Sequence, residues 1–160
     1  SITPRTTVLE GIREAAGEGV TVEYSRAGQF EGNPADPDAV CLGIVGELPY
    51  AEGRGDSRSL NLPPGENRVL RRLEEECGRV VVVLISGRPL IITDAVEKWD
   101  GLVAAWLPGS EGAGVADVLF GKVPFSGTLP YTWPASTDQL PLGSSNEAPL
   151  YPYDYGLITE

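Results

Sequence analysis

The stretch "VVVVLI", Val80 to Ile85, decides the fold. It is apolar throughout and does not alternate, so a strand formed there must be covered on both faces, as in a parallel sheet between helical layers. "AVCLGIV", Ala39 to Val45, reads the same way. Between the two, "GENRVLRRLEEEC", residues 65–77, sets Val69, Leu70, Leu73 and Cys77 on one side of a helix and charges on the other, and Gly78 ends it. Strand, helix, strand in this order is a parallel crossover unit.

Toward the N-terminus, Thr6 or Thr7 caps a helix carrying Val8, Leu9, Ile12, Ala15 and Ala16, ended by Gly17. "VTVEY", Val20 to Tyr24, is expected to be a short strand, and residues 25–38, rich in breakers, a surface connection. Toward the C-terminus come a helix near Thr93 to Lys98, a strand "GLVAAWL" from Gly101 to Leu107, and a helix "EGAGVADVLF" closed by Gly121. "GTLPYTW", Gly127 to Trp133, contains Pro130 and is an edge or irregular strand. The whole is read as one open three-layer α/β sandwich over residues 1–160, flavodoxin-like, with a mostly parallel sheet and an extended tail, 134–160, packed on it. Because a sheet of this kind usually begins with a strand and this chain opens on a helix, its first strand is expected upstream, and the sequence reads as a piece.

With 41% hydrophobic and 22% charged residues the chain has the composition of a folded domain. Its net charge of -11 offers no basic face to phosphates, which argues against nucleic acid and anionic membranes as partners. There is no histidine, so proton transfer falls to carboxylates, tyrosine or lysine, and neither a metal nor a cofactor is expected. Cys41 and Cys77 sit in or beside apolar runs, which suits small buried hydrophobes better than a disulfide framework or a metal site. No apolar stretch reaches a membrane span, no signal peptide is legible, and the compartment cannot be read from the residues.

Ligands of open parallel sheets bind beyond the carboxyl ends of the strands. Three loops qualify: "GELPYAEGRGDSRS" after Val45, "SGRP" after Ile85 and "PGSEGAG" after Leu107. The first carries Glu47, Glu52, Arg54, Asp56 and Arg58. A glutamate walled by Pro49 and Tyr50 has its neutral form favoured and can donate a proton, whereas nearby arginines oppose that shift. Most of the chain's 23 acids must nevertheless be solvated surface. "SGRP" reads as a turn in which Gly87 supplies an unusual φ and Arg88 pairs an acid or touches a ligand. In "PGSEGAG", Ser110 is taken as a helix cap rather than part of a phosphate loop. Trp99, Trp106, Trp133 and the "YPYDY" cluster have the amphipathic faces that stack on sugars, with core packing as the plain alternative, which wins for Trp106.

These loops resemble the second, α/β-sandwich domain of glycoside hydrolase family 3 enzymes, β-glucosidases and exo-β-glucanases. The stretches that carry the resemblance are "GELPYAEGRGDSRSLNLP", "VVVVLISGRPL", "GLVAAWLPGSEGAGVADVLFGKVPFSGTLPYTWP" and "YPYDYGL", covering most of residues 38–156 in the family's order. The resemblance implies a retaining β-glycosidase acting on β-glucosides or β-glucan oligosaccharides. Its aspartate nucleophile lies on a preceding (β/α)8-barrel domain and its acid/base glutamate on this one. The matching position is Glu52, with Glu47 as the competitor, whose alternative part is to brace the loop. Asp56 and Arg58 are expected to support the loop by ion pairing and hydrogen bonds, and the glycines at 46, 53 and 55 to let it bend. The family's first sandwich strand would precede Ser1, and without the barrel the isolated chain is expected to be inactive. The resemblance also suggests an extracytoplasmic, periplasmic or secreted, enzyme.

Two other readings compete. One is a non-catalytic carbohydrate-binding or structural α/β domain. The other is a nucleotide or phospho-relay domain, disfavoured by the negative charge and the poor phosphate loop.

Overall fold

The computed structural model describes residues 5–143 and 145–159; the ends of the 1–160 boundary, and Ser144 in the tail, lie outside them. Strands β1 (Cys41–Gly46), β2 (Val80–Ile85) and β3 (Gly101–Ala104) form one parallel sheet in the order β1-β2-β3. Cys41 lies opposite Val80 and Gly46 opposite Ile85, so the first two strands end level with one another. The continuous apolar run of β2 is explained by its central place. Val82 and Val83 point to opposite faces and both are fully buried.

Helix α2 (Pro64–Glu76) is the crossover between β1 and β2. Proline at its first position is pre-set for a helix start, and Leu70 and Leu73 face inward on the sheet. The helix lies so close to β1 that a Cβ on Gly43 would come within 2.8 Å of Leu70. Val80, Val82, Leu84, Trp99 and Trp133 complete that side of the core. Trp99 donates its indole N–H to Glu74 at 2.9 Å, and Trp133 donates to the Leu90 carbonyl at 2.8 Å, so both buried rings keep their polar atoms satisfied.

Helix α1 (Val8–Ala16) begins with a capping box: Glu10 N–H donates to Thr7 Oγ1, and Thr7 N–H donates to the Glu10 carboxylate. These hydrogen bonds from Thr7 hold the Glu10 carboxyl below its ordinary range. The helix packs on α4 (Gly112–Leu119) through two glycines. A Cβ on Gly112 would fall 2.3 Å from the Thr7 backbone carbon, and one on Gly11 would fall 2.9 Å from the Ala113 Cα. A short helix α3 (Thr93–Val96) links β2 to β3. No described helix is long and apolar enough to cross a membrane.

Four expectations need correction. Val20–Tyr24 forms no strand: no neighbour offers a ladder, Val20 and Tyr24 are exposed, and the Glu23 carboxylate is spent on the Gly32 amide. The strand expected to reach Leu107 stops at Ala104, because Trp106 turns into the left-handed region at φ 51°. Gly127–Trp133 is reduced to a single antiparallel bridge, Trp133 to Tyr151, supported by Leu129 donating to the Tyr155 carbonyl.

The last correction concerns the cysteines. They are joined, Cys41 at the start of β1 to Cys77 at the end of α2, with Cα atoms 6.2 Å apart. The cause is topological: a crossover helix runs back along the sheet, so its last turn arrives over the beginning of the strand it left. Sequence spacing alone does not contain that proximity.

The bond spans 36 residues, and closing a loop of that length in the unfolded chain corresponds to about 4 kcal/mol. Cys77→Ser is therefore expected to lower the urea midpoint of unfolding by an amount equivalent to roughly 3–4 kcal/mol. An unchanged midpoint would show that the bond contributes no constraint.

Candidate active site

β1 and β2 release their loops side by side, and the loops are bound to one another where they emerge. Glu47 continues the ladder by donating its N–H to the Ile85 carbonyl at 3.2 Å. Its side chain turns toward Arg88, in the loop after β2. Oε1 accepts from Nη2 at 2.7 Å and from Nε at 3.1 Å, and Oε2 accepts from the Tyr50 hydroxyl at 3.1 Å. The third arm of the guanidinium, Nη1, donates to the Gly55 carbonyl at 2.5 Å. The Arg88 carbon lies 4.7 Å from the centre of the Tyr50 ring.

The Arg88 and Glu47 side chains are only 25% and 13% exposed. A pair this sheltered, with donors in a fixed fork, outweighs an exposed contact such as Lys98 to Glu74 at 3.5 Å, where the lysine is 59% exposed and the worth about 0–1 kcal/mol. The hydrogen bond from Arg88 to Glu47 raises the guanidinium pKa further. Burial, followed by the hydrogen bond to Glu47, raises the Tyr50 phenol.

Tyr50 is wedged between two glycine backbones. A Cβ on Gly55 would lie 2.4 Å from its ring, and one on Gly87 would lie 3.0 Å from its hydroxyl. This corrects the reading of both glycines: neither has a positive φ, and each is needed because an aromatic ring occupies the side-chain position. Gly46 likewise faces a neighbour, the Ile85 carbonyl, at 2.0 Å from a built Cβ, whereas Gly53 has only Asp56 at 4.0 Å.

The left-handed backbone of this loop falls on Glu52 itself, at φ 50°. Such a conformation is uncommon for a residue with a side chain. Glu52 opens a 3-10 turn, Glu52–Gly55, whose last carbonyl is the one Arg88 holds. Its side chain is exposed and makes no hydrogen bond or ion pair among the described residues. Asp56 adds its charge to the surroundings of Arg88, but neither it nor Arg58 makes an ion pair among the described residues. The ion pair described in this loop is the one between Glu47 and Arg88. The sequence offered Arg88 as a turn residue that pairs an acid or touches a ligand, but which acid was not legible because 41 residues separate the two.

The loop ends are pinned as well. Ile91 donates to the Leu60 carbonyl at 2.8 Å, and buried Ser86 donates its hydroxyl to the Arg88 carbonyl at 2.7 Å. The loop after β3 plays a different part. Ser110 is not the cap of α4: its hydroxyl donates to Glu111, and the Gly112 amide is taken by the Thr6 carbonyl. That engages the first amide of this helix with the segment that leads into α1. Trp99 and Trp133 are sealed in the core, and Trp106 is half-buried at 6.1 Å from Trp133 and 5.7 Å from exposed Tyr131. Among the described residues no group of three or more Cys, Asp or Glu side chains is placed to hold a metal ion.

The family model of the glycosyl hydrolase family 3 C-terminal domain matches residues 1–159. A periplasmic β-glucosidase of Salmonella typhimurium is 26% identical over 206 residues, covering 94% of this chain and 27% of the relative. A lysosomal β-glucosidase of Dictyostelium discoideum is 33% identical over 151 residues, covering 84% of this chain and 18% of the relative. The chain thus spans 27% and 18% of the length of these two relatives. Among solved structures, the β-D-glucoside glucohydrolase of Trichoderma reesei shares the fold with a TM-score of 0.78 at 22% identity, over 96% of this chain and 26% of that one.

Gly55→Ala is expected to displace the Tyr50 ring and cost about 1–3 kcal/mol, as overpacking does. Gly53→Ala, which meets open space, should stay within about 0.5 kcal/mol. Urea unfolding of the two variants checks this, and equal losses would contradict the wedge.

Proposed function

The chain belongs to glycosyl hydrolase family 3, as its C-terminal domain, and on that premise we propose that it supplies the acid/base carboxyl, Glu52, of a retaining β-glucosidase or exo-β-glucanase. The nucleophile, in this reading, is an aspartate of a (β/α)8-barrel domain of the same protein. The substrate is a terminal β-D-glucosyl residue of a β-glucoside or β-glucan oligosaccharide.

In the first step the aspartate attacks the anomeric carbon while the Glu52 carboxyl gives its proton to the departing glycosidic oxygen, which leaves as an alcohol. In the second, the Glu52 carboxylate takes a proton from water as that water attacks the same carbon and frees the aspartate. Two displacements retain the configuration.

The observation that carries this choice is the contrast between the two glutamates. Both Glu47 oxygens are already hydrogen-bonded inside the domain, to Arg88 and to Tyr50, and cannot reach out to a leaving group. Glu52 stands exposed beyond the carboxyl end of β1, on a braced turn, with no described partner competing for it. Asp56 and Arg58 border this turn and are assigned to its support. We also propose that residues 1–160 form one domain, that the isolated chain is inactive, and that the protein works outside the cytoplasm. The Cys41–Cys77 bond supports an oxidising compartment, and the periplasmic and lysosomal names of its relatives support a location outside the cytoplasm.

In the full-length protein, Glu52→Gln should cut turnover of an unactivated β-glucoside by about 10²- to 10⁴-fold. Glycosylation by a 2,4-dinitrophenyl β-glucoside, whose leaving group needs no proton, should lose far less. Equal loss on both substrates would count against Glu52 as the acid.

A further inference from the structure

We propose that Arg88 is a positioning residue for the reaction, aiming the acid/base carboxyl by clamping the turn that carries it. This rests on the reading of Glu52 as the acid/base group.

Among the described residues the Glu52 side chain makes no hydrogen bond or ion pair to fix its direction, and its backbone sits in a conformation that a free chain rarely visits. Something outside the residue must therefore determine where its carboxyl points. The connected chain of contacts begins at Arg88. One arm and Nε of the guanidinium hold Glu47, at the start of the loop. The other arm holds the Gly55 carbonyl, at the end of the 3-10 turn. The guanidinium carbon lies over the ring of Tyr50, 4.7 Å from its centre, and that ring fills the space between.

Residues 47, 50 and 55 are thus held by one rigid cation, and Glu52 is suspended between the second and third of these points. Arg88 is fixed in turn from β2: the Ser86 hydroxyl donates to its carbonyl, and the Ser86 amide donates to the Trp106 carbonyl at 3.1 Å. Orientation of the acid is thereby referred to the central strand of the sheet.

Only arginine fits this task. A lysine ammonium is a point donor and cannot hold a carboxylate and a carbonyl in a fixed fork while lying over an aromatic ring. Misplacing a catalytic group by about 1 Å can cost on the order of 10²-fold in rate. The loss should appear in steps where the proton matters and not in substrate binding.

The test compares Arg88→Met, Arg88→Lys and Glu47→Gln with Glu52→Gln in the full-length protein, on cellobiose and on 2,4-dinitrophenyl β-glucoside. For Arg88→Met, kcat on cellobiose should fall about 10- to 100-fold with little change in KM, while glycosylation by the activated substrate is nearly preserved. Arg88→Lys should recover only part of the loss, and adding Glu47→Gln to Arg88→Met should do little further harm, since both break one unit.

Equal losses on the two substrates, or none on either, would overturn the positioning role. If Arg88→Met does not fold, Arg88→Lys is read by the same criterion. Should Glu52→Gln discriminate between the substrates while the Arg88 variants do not, the positioning role falls and the acid/base reading stands. If Glu52→Gln itself fails to discriminate, the acid/base reading falls and this inference falls with it.

Discussion

Two parallel strands that end level with each other set the terms for this domain. Gly46 lies against Ile85, so the polypeptide leaving β1 and the polypeptide leaving β2 emerge at one point, close enough for side chains of the two loops to meet. The meeting is made by Glu47 and Arg88. Were the register slipped by one residue, every side chain of β1 would change face, and neither Glu47 nor the Gly46 contact with the Ile85 carbonyl would survive. The crossover helix α2 secures that register from above through Leu70 and Leu73, and the disulfide ties its far end to the start of β1.

From this pair follows a division of labour between two glutamates five positions apart. Glu47 turns inward, where both of its oxygens find donors, and becomes part of the frame. Glu52 sits on the turn that the frame supports and keeps its side chain in solvent. The surrounding glycines make sense in the same terms. Gly55 and Gly87 leave room for the Tyr50 ring, and the one residue of the loop with a positive φ is the glutamate. Uncommon backbone geometry of this sort persists where neighbouring contacts over-determine it, and the clamp supplies those contacts.

Much of the fold was legible because it rests on local patterning. The uniform apolar runs of β1 and β2, the one-sided spacing of Leu70 and Leu73, and a threonine cap at Thr6 or Thr7 are short-range signals, and each of these elements formed within a residue or two of its expected place. What was not legible is long-range. Cys41 and Cys77 looked like separate apolar residues because their proximity comes from the return path of α2. Arg88 looked like a turn residue because its partner is 41 positions away. Val20–Tyr24 has the residues of a strand but lacks a neighbour to pair with, and the run after Ala104 was cut by a backbone turn at Trp106 that no residue type announces. At the site, local reading located the loop and its candidate carboxylates, whereas the fixing of Glu47 in the frame required the fold.

A braced loop that carries Glu52 across to a nucleophile on another domain, as proposed, brings two carboxyls to opposite sides of one sugar. The most direct measurement is a crystal structure of the full-length protein after labelling with 2,4-dinitrophenyl 2-deoxy-2-fluoro-β-glucoside, which leaves the sugar covalently on the nucleophile. The expected result is a labelled aspartate on the barrel with the Glu52 carboxyl about 5–5.5 Å from it and Glu47 still bound to Arg88. A different carboxyl at that distance, with Glu52 turned to solvent, would contradict it.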